Sequence, residues 1–63
     1  MQSVKIEAVK NGEYIKRTET ARAVYVRGAY DKKSKSFECM DADDINRVIY
    51  IKSGKPVFVG FTY

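Results

Sequence analysis

Sixty-three residues leave room for one domain, residues 1–63, with a small core, because a chain this short buries only about 60% of its unfolded surface. Without histidine the chain lacks the usual neutral-pH acid–base group and any Cys/His zinc site, and its single cysteine, Cys39, cannot form an internal disulfide. With 44% hydrophobic and 32% charged residues the composition is globular rather than disordered, and neither apolar run, 48–51 or 56–59, approaches the ~18 residues of a spanning helix.

Strand signals dominate from the start. Val4 and Ile6 alternate with Lys5 and Glu7, the period of a half-buried strand. Asn11-Gly12 then marks a turn, because both residues tolerate positive φ. A second strand is expected over 13–17, with Ile15 facing inward, and the polar stretch 18–22 reads as a loop. Residues 23–30 are β-branched and aromatic. Alternation assigns Val24 and Val26 to the core, and Tyr25 and Arg27 to the outer surface. Gly28 inside that strand points to a bulge or bend that curves the sheet.

Residues 31–35 form a basic hairpin tip, and 36–40 resume as a strand with Phe37 and Cys39 on one face. Asp41-Ala42-Asp43-Asp44-Ile45-Asn46 breaks the β pattern. A capping aspartate there predicts one short helical turn near 42–46, with Ile45 plugging the core. Residues 47–52 and 56–61 complete the chain as two strands around Ser53-Gly54. The expected core is Val4, Ile6, Ile15, Val24, Val26, Phe37, Cys39, Ile45, Ile49, Ile51, Val57 and Val59.

Five to six short strands and no covering helix must curl on themselves, since a flat sheet would leave one face wet. The expected fold is all-β, a small SH3-like barrel, with an OB-like barrel as the second choice. The stretch Val9-Lys10-Asn11-Gly12-Glu13 resembles the opening of many SH3-like barrels, a likeness of fold over five residues.

Catalytic chemistry finds little support. Asp41, Asp43 and Asp44 begin like a calcium loop, but the turn glycine is missing and Lys52 stands where the twelfth-position glutamate belongs. Ser53-Gly54-Lys55 lacks the glycine five residues earlier and the following Ser/Thr of a phosphate-binding loop, and reads as a hairpin turn. Cys39 has no base to activate it. The expectation is therefore a protein that is no enzyme and uses neither cofactor nor metal.

Charge and aromatic residues carry the functional expectation. Residues 1–35 hold nine Lys/Arg against four acids, and 36–63 hold three against four. Tyr14/Lys16, Tyr25/Arg27 and Tyr50/Lys52 repeat one pattern, an aromatic and a cation flanking an inward residue. Tyrosines that stack on unpaired bases and cations that neutralise phosphate, with Lys32, Lys33 and Lys35 at the hairpin tip, would bind single-stranded nucleic acid. The alternative is a protein-interaction or inhibitory accessory module recognising an acidic protein partner. A cytoplasmic setting with a reduced thiol, no membrane contact, and a homodimer through residues 56–63 complete the expectations.

Overall fold

The computed structural model describes residues 1–62. Six strands form: β1 (Gln2–Lys5), β2 (Tyr14–Ile15), β3 (Tyr25–Asp31), β4 (Ser36–Asp41), β5 (Val48–Lys52) and β6 (Pro56–Val59). The fold is all-β. Strands β2-β3-β4-β5 make one antiparallel sheet, and β1 pairs with β6 in a second. Lys16, just past β2, stitches the two together by exchanging 2.9 Å backbone hydrogen bonds with Phe58 in both directions.

The four-stranded sheet curls into a half-barrel, and Gly28 lies at its bend. Arg27 pairs with Cys39 but Tyr30 with Phe37, so β3 carries one extra residue at this point. A Cβ on Gly28 would stand 2.6 Å from the Glu38 carbonyl oxygen. Only glycine lets the two backbones approach that closely. The extra residue increases local twist and turns the sheet inward.

Eight buried residues make the core: Ile6, Val9, Ile15, Tyr25, Phe37, Cys39, Ile51 and Val57. Val24 is also buried, while Val4, Ile49 and Val59 are half-buried. The facing of Tyr25, Val26 and Arg27 in β3 is the first correction to the expectations. Tyr25, assigned to the outer surface, is 5% exposed, and Val26, assigned to the core, lies half-buried on the outer face. The pairings Tyr25↔Asp41 and Arg27↔Cys39 place those residues on the inner face with buried partners, which forces Val26 outward opposite Met40.

The second correction concerns residues 42–46, which form turns rather than a helical turn; Ile45 is 75% exposed instead of plugging the core. Asp41 Oδ1 accepts the Asp43 N–H at 2.8 Å, and Asp44 Oδ1 accepts the Asn46 N–H at 3.0 Å. Each carboxylate closes a loop two residues ahead, an arrangement that competes with helical bonding. The described 3-10 helix lies at Ile6–Ala8 instead. It buries Ile6, whose N–H donates to the Lys55 carbonyl at 2.9 Å. Strand β1 therefore stops at Lys5, one residue short of Ile6.

Candidate functional site

A cleft of about 660 Å³ runs along β5. Among the described strands β5 pairs with β4 alone, and Tyr50, Ile51 and Lys52 all line the cleft. Consecutive residues alternate between faces, so a cavity touching all three meets the strand at its open edge. The far side comes from the polar segment 17–23, which turns where the Ala21 N–H reaches the Thr18 carbonyl at 3.2 Å. Lys55, Pro56 and Val57 supply the remaining wall. Buried Ile51 and Val57 give the cleft an apolar base.

Its ionisable lining is one-sided. Arg17, Arg22, Lys52 and Lys55 carry positive charge, and no carboxylate side chain lines the cleft among the described residues. All four are exposed, and no ion pair neutralises them among the described residues. Cations of one sign around a concave, low-dielectric surface raise the local concentration of anions. Tyr50, 60% exposed on the rim, offers an aromatic face beside them. A shallower hollow of about 340 Å³ shares Tyr50 and Lys52 with the cleft and continues over Asp31, Ser34 and Ser36 to the β3–β4 turn. Lys32, Lys33 and Lys35 are exposed on that turn.

The fold thus gathers some of the sequence-predicted residues and disperses others. Tyr50 and Lys52 line the cleft, and Lys32, Lys33 and Lys35 lie beyond its continuation. Tyr25 lines it too, but at 5% exposure its ring has no face to offer a base. Arg27 turns inward, its guanidinium 4.2 Å from the centroid of the Phe37 ring. Lys16 is half-buried, its ammonium 4.8 Å above the Phe61 ring. Tyr14 is 48% exposed on the outer sheet face, away from the cleft residues.

Arg17, Arg22 and Lys55 were missed by strand alternation because they sit on a loop and a turn. Their signal was weaker but present: Arg17 and Arg22 bracket the loop, and Lys52 and Lys55 bracket the Ser53-Gly54 turn.

Nucleophilic chemistry has no foothold at Cys39. Burial pushes its thiol up from the ordinary value, which lowers the thiolate fraction, and its Sγ contacts the Phe37 carbonyl at 3.7 Å. No group of three or more Cys, Asp or Glu side chains among the described residues could hold a metal ion, and none of the helices described is long and apolar enough to cross a membrane. No family model, curated protein or solved structure matches the chain.

Proposed function

We propose that this chain is a non-catalytic module that binds single-stranded nucleic acid in the cleft along β5. The observation that carries the proposal is the convergence of Arg17, Arg22, Lys52 and Lys55 on one cleft that no carboxylate side chain lines among the described residues. Four exposed cations suit a phosphate backbone, and Tyr50 can stack on one unpaired base. Stacking of this kind contributes roughly 1–3 kcal/mol per base. The hairpin-tip lysines add positive charge beyond the adjoining hollow, which Asp31 also lines. A duplex fits less well, since paired bases offer no free face to Tyr50.

The architecture behind this reading is a small SH3-like barrel left open beside β5, with the ligand occupying the opening. Its support is the strand sequence β1-β6, bridged to β2 and continuing through β3, β4 and β5. A cytoplasmic setting accords with a lone cysteine that is buried and free.

Backbone amide shifts recorded during titration with a short oligothymidylate test the assignment. The proposal expects shifts concentrated at Arg17, Arg22, Tyr50, Lys52 and Lys55. Shifts confined to Tyr14, Val26 and Met40, which line neither hollow, or none, would contradict it. A poly-glutamate peptide that shifts the same amides while the oligonucleotide does not would move the assignment to an acidic protein partner.

A further inference from the structure

We infer that the Asp31 carboxylate selects guanine as the base stacked on Tyr50, a step that rests on the single-strand binding proposed above. The hollow beside the cleft has a chemistry of its own. Asp31 pairs with Ser36, and Ser36 with Lys52, so the three stand in one row across β3, β4 and β5. Directly paired residues share a face, here the one opposite buried Phe37 and Ile51. Two strand spacings, roughly 10 Å, separate the backbones that bear the carboxylate and the ammonium. Ser36, small and 2% exposed, forms the floor between them, and Tyr50 stands at the rim. The gap of about 340 Å³ has room for one base.

Hydrogen-bonding capacity is concentrated at the two ends of this gap. The Ser34 and Ser36 hydroxyls bond each other. Asp31 and Lys52 form no ion pair with one another among the described residues. Asp31 Oδ1 accepts the Lys33 N–H at 3.0 Å, which orients the carboxylate and leaves most of its roughly four acceptor positions open. On its Watson–Crick edge guanine alone sets two donors, N1–H and N2–H, side by side, the complement of a carboxylate's paired oxygens. Adenine and cytosine set a ring acceptor beside the amino donor, and thymine and uracil flank their single N–H with carbonyls. Each of these would press an acceptor against a carboxylate oxygen. The edge is free only on an unpaired base. The Lys52 ammonium can donate to guanine O6 or N7, and its remaining N–H groups still serve a phosphate in the cleft, which Lys52 also lines.

Charge on this sheet face decides which part of the nucleotide enters. Asp31 lines the hollow, and half-buried Glu38 pairs with Tyr50 on the same face. Both carboxylates repel phosphate, whereas the cleft concentrates cations. The backbone therefore keeps to the β5 edge and the base turns over the sheet. None of residues 56–62 lines the hollow, so the homodimer expected through residues 56–63 would add nothing to it. Val57 is 1% exposed, and Phe58, Val59 and Phe61 are half-buried on their own chain. Tyr63 lies outside the described residues.

Competition against a labelled oligothymidylate, read by fluorescence anisotropy at fixed low salt, tests the inference. The competitors are the all-thymine oligomer and versions with one central guanine, adenine, cytosine or hypoxanthine. The guanine oligomer should bind about tenfold more tightly than those with thymine, adenine or cytosine. Hypoxanthine lacks the N2 amino group and should lose most of that gain. Asp31→Asn keeps an oxygen for the Lys33 N–H and replaces the second acceptor with an amino donor. It should bring guanine and thymine to within about twofold of each other, while the all-thymine oligomer binds at least as tightly as to the wild type, since a negative charge is gone. Equal binding of all the oligomers, or a guanine preference that survives Asp31→Asn, would overturn the inference and leave single-strand binding standing. Failure of every oligomer to bind would overturn both.

Discussion

The Arg27 guanidinium lies over the Phe37 ring on the inner face of the sheet, its carbon 4.2 Å from the ring centroid. One Nη1–H donates to the Gly28 carbonyl at 3.0 Å, while the buried Nε–H has no partner among the described residues. Packing on the ring is favourable, and the unpaired donor is a cost. Arg27→Met keeps the packing and removes the donor, so its stability should lie within about 1 kcal/mol of the wild type. Arg27→Ala removes both and should lose roughly 1–3 kcal/mol by urea denaturation. Neither change should weaken oligonucleotide binding more than about twofold, because Arg27 lines neither hollow.

Gly28→Ala tests the origin of the curl. A new Cβ would meet the Glu38 carbonyl oxygen at 2.6 Å, a backbone atom that cannot swing aside. The bulge must open or the β3–β4 pairing must shift. A loss of roughly 1–3 kcal/mol is expected in chemical denaturation. An unchanged midpoint would show that the close approach is unimportant.

Glu7 predicts a pH dependence. Its carboxylate accepts the Gly54 N–H at 2.7 Å, tying the 3-10 helix to the β5–β6 turn across 47 positions of sequence. Its own backbone N–H, and then that of Gly54, hold the carboxyl below its ordinary value of 4.5. A depressed folded-state pKa contributes stability that is complete above about pH 4.5 and is lost as pH falls through the folded value. The melting temperature of Glu7→Gln should therefore lie below the wild type at pH 7 and converge on it toward pH 3. A gap that stays constant with pH would contradict the assignment.

The strands were legible because alternating apolar residues and the Asn11-Gly12 and Ser53-Gly54 turns leave little choice of element. The facing of β3 was not. Val24, Tyr25 and Val26 are all good strand residues that can be buried, so their alternation is ambiguous until pairing with β4 fixes the register. The aspartates of 41–44 were equally two-valued, since one carboxylate can cap a helix or close a turn. Tyr50 and Lys52 emerged from their spacing on one strand. Arg17, Arg22 and Lys55 reach the same cleft only through the fold, and no local period connects them.

The proposed function requires the cleft cations to bind the backbone of a single strand. Fluorescence anisotropy with a labelled oligothymidylate, measured across a salt series, tests it most directly. Affinity should fall steeply with salt, and R17A/K55A should reduce the log–log slope by about 0.7 for each phosphate no longer neutralised. Tyr50→Ala should weaken binding by roughly 1–3 kcal/mol while leaving that slope unchanged. No binding at micromolar protein in low salt, or a salt slope that R17A/K55A leaves untouched, would contradict this role for the cleft.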